Sequence, residues 1–259
     1  MQLSFLSASG YLLPLINQKT IQSGEKNLSA QDEDKAWLEY RANFAKIYDG
    51  SNYTSPLQSY VMRASHRLAE AAFDEGSHFD RVLEIGAGTG QHLPFVRHSF
   101  HEYVLTDLDQ AALQIAKDRL QKDYDGRVCF EVQAGNELGY ADNAFDRIIA
   151  AHVLEHLPYP HLALKEWARV LKPGGVLSIL LPTDPGLAWR LGRHLGPRKK
   201  ALAMGIAYDY VMAREHVNSC TNLIALLRHY FPCSKEAWWP FPVASVDLNL
   251  FFAYHATRK

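Results

Sequence analysis

The stretch from Val82 to Gly90, with the sequence VLEIGAGTG, constrains the fold of this chain more than any other feature. A short apolar run bounded by turn residues is typical of a buried strand, and the three glycines that follow predict a tight turn. Glycine reaches backbone conformations that other residues avoid and lets a ligand approach the main chain closely. We therefore expect a strand that ends in a ligand-binding turn.

The spacing of the glycines indicates what kind of ligand the turn holds. The dinucleotide fingerprint is G-x-G-x-x-G, but here the glycines are Gly86, Gly88 and Gly90, and Gln91 stands where the last glycine is required. No Gly-Lys-Ser/Thr follows, so the turn is not a P-loop. Asp107 closes the next predicted strand, where its carboxylate can accept hydrogen bonds from a ribose diol. The pattern predicts a nucleoside site that does not cradle a pyrophosphate.

Short apolar runs alternate with amphipathic helical patterns from residue 81 onward, and this alternation predicts a parallel sheet with helices on both faces. Asp109 is expected to cap one of these helices, and Trp167 lies on the buried face of another. The predicted strands are Val82–Ile85, Tyr103–Thr106, Val128–Val132, Ile148–Ala151, Val176–Leu181, Glu236–Trp239 and Val246–Tyr254. No helix separates the last two runs, so they are expected to pair antiparallel. The expected fold is a doubly wound, mostly parallel, seven-stranded α/β sheet with one antiparallel strand.

The chain is expected to divide into an arm and one domain. Residues 1–33 are polar and irregular, and we interpret them as the arm, whereas residues 34–259 are expected to form a single domain. Within that domain, residues 34–78 are expected to supply N-terminal helices. The first carries Trp37, Tyr40, Phe44 and Ile47 at helical spacing; the second begins with the cap Ser55 before Pro56 and carries Leu57, Val61, Ala64, Leu68 and Ala72 on one face.

The composition excludes several classes of protein. Lys and Arg total 27 against 28 for Asp and Glu, so the basic excess of a nucleic-acid binder is missing. The three cysteines lack C-x-x-C spacing, and no H-E-x-x-H motif occurs, so we expect neither disulfides nor a metal site. No apolar run reaches the ~18 residues of a membrane span, and no Lys or Arg precedes Lys19. The expectation is a cytoplasmic protein without stable membrane insertion.

Four ordered motifs between residues 80 and 182 resemble those of class I S-adenosylmethionine-dependent methyltransferases, in the branch that acts on small molecules. Val82–Gly90 resembles the first motif of the family, and Leu105–Asp109 resembles its second-strand acid. Asn143–Ile149 with His152–Leu157 resembles the fourth strand and the turn after it, and Arg169–Gly175 resembles the turn into the fifth strand. The resemblance implies a Rossmann-like methyltransferase fold over residues 80–182 that binds S-adenosyl-L-methionine.

The resemblance also implies roles for particular residues. Glu84 would lie near the ammonium group of the cofactor, Asp107 would hold the ribose, and Leu108 would pack on the adenine. The methionine part and the sugar would lie against the backbone of Gly86, Ala87, Gly88 and Gly90, and Ala151 and His152 would face the transferring methyl group.

The third strand departs from the family pattern. The family commonly places an aspartate there to read the adenine amino group, whereas this chain has Gln133-Ala134-Gly135-Asn136 and no acid before Glu137. Either Asn136 takes this role, or backbone groups around Gly135 alone hold the base.

Two histidines are candidates for catalysis, each with a structural alternative. His152 follows the fourth strand, where the cleft of such a sheet opens, and is either a substrate contact or general base, or a structural residue like its neighbour His156. His216 precedes the last helix and either covers the substrate or packs while Asn218 or Ser219 caps that helix.

The segment of residues 183–217 is too long for an ordinary connection, and such segments are commonly functional lids. We interpret it as an insertion that covers the substrate, with Arg190, Arg193 and Tyr208 as candidate substrate contacts. Its basic cluster would meet an anionic substrate or a membrane surface, or would simply be a solvated helix face. Residues 218–259 complete the domain with a helix and the strand pair.

The sequence thus predicts an enzyme that transfers a methyl group from S-adenosylmethionine to a small-molecule acceptor, at a hydroxyl oxygen of a biosynthetic intermediate. Two alternatives remain open at this point: a cofactor-binding partner subunit without catalysis, and N- or C-methylation of a glycan, lipid or secondary metabolite. The sequence does not indicate the oligomeric state.

Overall fold

The computed structural model describes Trp37, residues 56–124 and residues 126–259. The arm at residues 1–33, the cap Ser55 and the first predicted helix, apart from Trp37, lie outside the described residues. Trp37 itself is helical and buried, and the Arg214 guanidinium lies over its ring at 4.1 Å.

Seven strands form one sheet, and seven α-helices have described bounds. The strands are β1 (Arg81–Ile85), β2 (Glu102–Asp107), β3 (Val128–Val132), β4 (Phe145–Ala151), β5 (Leu171–Pro182), β6 (Ser234–Trp239) and β7 (Phe251–Thr257). The helices are α1 (Pro56–Glu70), α2 (Gln110–Leu120), α3 (Pro160–Val170), α4 (Leu187–Leu195), α5 (Pro197–Ala203), α6 (Tyr208–Glu215) and α7 (Cys220–Tyr230). None of these helices is long and apolar enough to span a bilayer.

The strand order is β3-β2-β1-β4-β5-β7-β6, and the first five strands of this order run parallel. Only β7 runs against its neighbours, pairing antiparallel with both β5 and β6. This confirms the predicted mostly parallel, seven-stranded α/β sheet. The order reverses direction between β1 and β4, which creates the crevice where open α/β sheets bind ligands.

The helices beside the sheet follow from their apolar faces and caps. Asp109 caps α2 by accepting hydrogen bonds from the amides of Ala111 and Ala112, as predicted. Trp167 of α3 is fully buried, and its Nε1 donates to the carbonyl of Gly135 at 2.6 Å. The helix α2 packs on β2 and β3, whereas α3 packs on β5. Both therefore hold turns near the carboxyl edge of the sheet.

The last strand begins later than the alternating pattern indicated. We expected Val246–Tyr254, but β7 starts at Phe251. The cause is Asn249, which is fully buried: its side-chain amide donates to the carbonyls of Val243 and Ser245 and accepts from the amide of Phe241. These bonds close the residues before β7 into a loop and withdraw them from the sheet.

The buried face of α1 agrees with the prediction only in part. Of the five apolar residues expected to face inward, Ala64 is buried, Val61 and Leu68 are half-buried against the core, and Leu57 is 74% exposed. The helix buries Met62, Ala64, Ser65, His66, Ala69 and Glu70. Glu70, at the end of the helix, forms an ion pair with the fully buried guanidinium of Arg147 on β4.

Candidate functional site

The carboxyl ends of β1, β2 and β4 open onto a cavity of about 840 Å³. It lies at the reversal of strand order, where ligands of such sheets bind. Nine of the residues singled out in the sequence line it: Glu84, Gly86, Ala87, Gly88, Asp107, Leu108, Gly135, Ala151 and His152. We call this space the main cavity.

The glycine turn combines two different requirements. Gly86, Gly88 and Gly90 all have positive φ, at 66°, 53° and 73°. A Cβ would lie 2.5 Å from Val153 at Gly86 and 2.4 Å from Leu120 at Gly90, but would meet no protein atom within 4 Å at Gly88. Gly86 and Gly90 therefore allow close packing, and Gly90 does not line the main cavity. Gly88 leaves bare backbone beside the open space.

Asp107 joins this turn to the start of α2. Its Oδ2 accepts a hydrogen bond from the amide of Gly88 at 2.8 Å, and its Oδ1 accepts one from the amide of Asp109 at 2.8 Å. Burial raises the pKa of the Asp107 carboxyl, and the amides of Asp109 and Gly88 oppose that rise. Since each carboxylate oxygen offers two lone pairs, Asp107 keeps the capacity to accept two hydroxyl groups from the cavity.

Glu84 lies at the floor of the main cavity. It is 2% exposed, and its Oε2 accepts a hydrogen bond from Tyr103 Oη at 2.6 Å. Burial raises the pKa of Glu84, while His92 and Tyr103 lower it. A buried carboxylate here favours a cationic group above it, because charges attract strongly in such a poorly solvated place.

The base-binding side of the cavity differs in part from the expectation. Leu108 is 70% exposed and lines the cavity, so its side chain is available for an aromatic ligand. Asn136 is exposed and does not line the cavity, whereas Gln133 and Gly135 do. Gln133 is held in place by the amide of Gly139, which donates to its Oε1 at 3.1 Å. Of the two alternatives for the third strand, the structure brings the Gly135 backbone to the cavity.

His152 has an unusual backbone at the other end of the cavity. Its φ is 59°, a conformation that non-glycine residues rarely adopt and that is concentrated at functional sites. Its Nε2 lies 3.3 Å from Ser65 Oγ on α1, and its Nδ1 lies 3.6 Å from Glu155 Oε1. His152 thus lies directly after β4 and lines the main cavity, and its imidazole is close to Ser65 and Glu155.

His156 lines the main cavity together with Glu215 at the end of α6. Its Nδ1 lies 2.8 Å from the carbonyl oxygen of Glu215 and 3.1 Å from the Glu215 carboxylate. Burial lowers the pKa of His156, but Glu215 and Glu155 outweigh this effect and raise it. These contacts fix the His156 ring at the edge of the main cavity.

His216 and Arg193 lie at a second, smaller cavity of about 330 Å³. The His216 Nδ1 contacts Asp184 Oδ2 at 2.8 Å, and Arg193 reaches the same oxygen at 3.3 Å and Tyr208 Oη at 3.2 Å. Arg190 is exposed, and neither Arg190 nor Tyr208 lines either cavity. The structure thus gathers His216, Arg193 and Tyr208 around Asp184, outside the main cavity, while Ser219 caps α7.

The structure brings Glu155, His156 and His216 close enough that one ligand atom from each lies within 4.8 Å of the others. A second such group, His78, Asp80 and His101, is exposed. The sequence-based expectation of no metal site stays a prediction.

A buried polar chain that the sequence reasoning missed runs from the sheet to the main cavity. Glu70 accepts from Arg147 Nη1 at 2.9 Å and Nη2 at 2.7 Å, and His92 Nε2 lies 2.9 Å from Glu70 Oε1. His92 Nδ1 lies 3.0 Å from His66 Nδ1, and both histidines line the main cavity. All four residues are at most 4% exposed. The available signal was His66 and Glu70 at i and i+4, which share one helix face.

The residues of the main cavity fit a nucleoside cofactor that carries a cationic group. Gly88 presents bare backbone, Asp107 has acceptors for a ribose diol, Leu108 offers an apolar surface for a base, and Glu84 attracts a cation. The fold and this donor set define a nucleoside-binding α/β domain of the methyltransferase type.

Comparison with known proteins agrees with this assignment. Residues 83–179 match the family model of a methyltransferase domain. The chain is 36% identical over 116 residues to the 27-O-demethylrifamycin SV methyltransferase of Amycolatopsis mediterranei, a match that covers 42% of each chain. It is 35% identical over 111 residues to the ubiquinone/menaquinone biosynthesis C-methyltransferase UbiE of Ectopseudomonas mendocina, covering 41% of this chain and 43% of that relative. The chain thus spans less than half the length of these curated relatives.

Solved structures share the fold. An S-adenosylmethionine-dependent methyltransferase from Thermotoga maritima superposes with a TM-score of 0.58 at 18% identity, covering 86% of this chain and 99% of that one. The cyclase SpnF superposes with a TM-score of 0.53 at 21% identity, covering 78% and 74%. Residues 83–179 thus contain a methyltransferase domain with the fold of S-adenosylmethionine-dependent methyltransferases, and this match implies S-adenosyl-L-methionine as the cofactor.

Proposed function

We propose that this protein transfers the methyl group of S-adenosylmethionine to a hydroxyl oxygen of a small organic acceptor. The observation that carries the proposal is the pair of imidazoles, His66 and His152, at the β4 end of the main cavity. Their rings lie 6.2 Å apart, two strands away from Asp107 at the end of β2. The cavity therefore has one end with nucleoside-binding groups and one end with groups that can handle a proton.

The chemistry asks the protein mainly to position the acceptor. When bound, S-adenosylmethionine supplies a methyl group that is already electrophilic because it is attached to a sulfonium. Orientation of the acceptor by the cavity walls can then contribute up to about 7–11 kcal/mol of the barrier reduction. A hydroxyl acceptor must also lose its proton, and an imidazole is the side chain best suited to accept it near neutral pH.

We further propose that residues 183–217 cover the acceptor end of the cavity. This segment contains α4, α5 and α6, and Glu215 at the end of α6 lines the main cavity. Asp184 joins the segment internally by contacts with Arg193 and His216. Closure of such a cover excludes water and holds the acceptor against the methyl group.

The experiment is a methyl-transfer assay with cofactor labelled in its methyl group. The acceptors are 2-methyl-1,4-hydroquinone, 4-hydroxybenzoate and 1-octanol, each compared with an amine analogue. We expect label on oxygen, located by mass spectrometry of the product. Calorimetric binding of the cofactor without transfer to any acceptor would favour the cofactor-binding partner subunit, and label on nitrogen or carbon would contradict the hydroxyl assignment.

A further inference from the structure

Glu155 carries a buried carboxylate oxygen that the described part of the chain leaves without a hydrogen-bond partner. The residue is 2% exposed in the turn after β4, and the oxygen concerned is Oε2. An unsatisfied oxygen of this kind is costly away from water, and its presence in a folded protein calls for a bound water or ion. The other oxygen, Oε1, lies 3.9 Å from Nε2 of His156. Together with His216, these side chains form the group whose ligand atoms lie within 4.8 Å of one another.

The two histidines of this group are each held through Nδ1. His156 Nδ1 lies 2.8 Å from the carbonyl of Glu215 and donates to it, because a carbonyl oxygen can only accept. His216 Nδ1 lies 2.8 Å from Oδ2 of Asp184. A metal-bound histidine almost always gives its other ring N–H to a carbonyl or a carboxylate, which fixes the orientation of the ring. Nε2 is therefore the nitrogen of each ring that a metal ion can use.

Asn218 joins the two segments that carry these side chains. Its backbone amide donates to the carbonyl of Glu155 at 3.2 Å. Its side-chain amide donates to the carbonyls of Leu154 at 3.0 Å and Leu157 at 2.6 Å. The turn after β4 and the chain after α6 are thus fixed to each other two positions from His216. A binding site requires such support, because its ligands must be held close to their productive geometry.

We propose that Glu155, His156 and His216 bind one zinc ion. Two imidazoles and a carboxylate are a ligand set of open zinc sites, which leave a fourth position to water or substrate. Magnesium and calcium prefer oxygen ligands. Zinc bonds of about 2.0–2.2 Å place tetrahedral ligand atoms about 3.4 Å apart, so the contact between His156 and Glu155 needs to close by only about 0.5 Å.

The ion connects the core of the domain with the segment of residues 183–217. Glu155 and His156 belong to the turn after β4, whereas His216 ends that segment at the second cavity. The inference departs from the sequence-based expectation of no metal site, which considered ligand spacing within single segments. It does not depend on which acceptor receives the methyl group.

The exposed group of His78, Asp80 and His101 provides a matched control. It also consists of two imidazoles and one carboxylate, but all three residues are exposed. Zinc bound there is adventitious, because water already solvates these side chains. His101→Gln removes one member of the exposed group and leaves the buried group intact, so it serves as the background for the test.

The experiment measures zinc binding by the full chain with His101→Gln. Protein stripped by a chelator is titrated with zinc chloride and with magnesium chloride by calorimetry, and bound zinc is counted by mass spectrometry after gel filtration. We expect one zinc per chain and no measurable magnesium binding. Adding His216→Gln should abolish this zinc, and adding Asp184→Asn instead should weaken its affinity about 10–100-fold, because the histidine loses its orienting carboxylate. Circular dichroism checks that each variant folds.

Cobalt substitution in the His101→Gln chain gives a readout that needs no change to a ligand. Intense visible absorption, typical of four-coordinate cobalt, is the expected result. Weak absorption typical of six-coordinate cobalt would overturn the inference, as would zinc uptake that His216→Gln leaves unchanged. No zinc uptake by the His101→Gln chain would also overturn it, and protonated imidazoles alone would then balance Glu155. If the chain with His216→Gln does not fold, the cobalt spectrum and Asp184→Asn decide the question.

Discussion

The amide of Gly88 donates to Oδ2 of Asp107 at 2.8 Å, so the turn after β1 and the end of β2 are held as one unit at the main cavity. The same carboxylate holds the amide of Asp109 at the start of α2. Asp107 is thus both the acid that we expect at the ribose and a structural link between two neighbouring turns.

This double role predicts the effect of Asp107→Ala. We expect cofactor affinity to fall at least tenfold, which corresponds to about 1.4 kcal/mol. The melting temperature should also fall, because two backbone amides lose their acceptor. Calorimetry and thermal unfolding measure the two effects. Ser219→Ala is the control: it removes the side-chain cap of α7, away from the main cavity, which costs about 0.5–2 kcal/mol of stability, and it should leave affinity nearly unchanged. Unchanged affinity in Asp107→Ala would remove Asp107 from the site.

Gly88 and Gly174 form a matched pair for testing the glycine turn. Both have positive φ, and a Cβ would meet no protein atom within 4 Å at either position. Alanine at each should therefore cost a similar amount of stability, about 1–2 kcal/mol. Only Gly88→Ala should weaken cofactor binding, since its methyl group enters the main cavity. Equal cofactor affinity in the two folded variants would contradict our assignment of the turn.

The ion pair between Glu70 and Arg147 should dominate the acid stability of the described domain. Glu70→Gln leaves a buried guanidinium without its charge partner and should cost about 3–5 kcal/mol, whereas Glu236→Gln removes the partner of the exposed Arg228 and should cost about 0–1 kcal/mol. The folded-state pKa of Glu70, about 2, lies below its usual value of 4.5. Its contribution is therefore complete above pH 4.5 and is lost as the pH falls toward 2. Denaturant unfolding across this range should show a smaller pH dependence in Glu70→Gln than in the wild type.

Variants of Arg193 and Arg190 test whether the segment of residues 183–217 covers the acceptor. Arg193→Ala removes the contacts with Asp184 and Tyr208 that hold α4, and it should raise the acceptor KM while cofactor affinity stays near the wild-type value. Arg190→Ala alters an exposed side chain and should change neither quantity. If steady-state kinetics show no effect of Arg193→Ala, the segment does not cover the acceptor.

The sequence was informative where one local pattern decides the structure. Local conformational preferences were sufficient to predict the strand and turn at Val82–Gly90 and the cap at Asp109. The alternation of short apolar runs with amphipathic helical patterns was sufficient to predict the parallel sheet. The start of β7 was not predictable in this way, because Asn249 closes the preceding loop through contacts that alternation does not encode.

The same limit applies to the site. The cofactor end was predictable since its residues adjoin recognisable turns, but the buried chain joins Glu70 and Arg147, which are 77 positions apart in sequence. The apolar pattern of α1 placed Val61, Ala64 and Leu68 against the core but gave no sign of the buried Glu70, because its partner Arg147 lies on a distant strand.

The most direct test of the central claim is a crystal structure with S-adenosylhomocysteine, the product left after methyl transfer. We predict that its ribose hydroxyls hydrogen-bond to Asp107, that its backbone contact is at Gly88, and that its sulfur faces the end of the cavity formed by His66 and His152. A ligand bound outside the main cavity, or one whose sulfur points away from both histidines, would contradict the account.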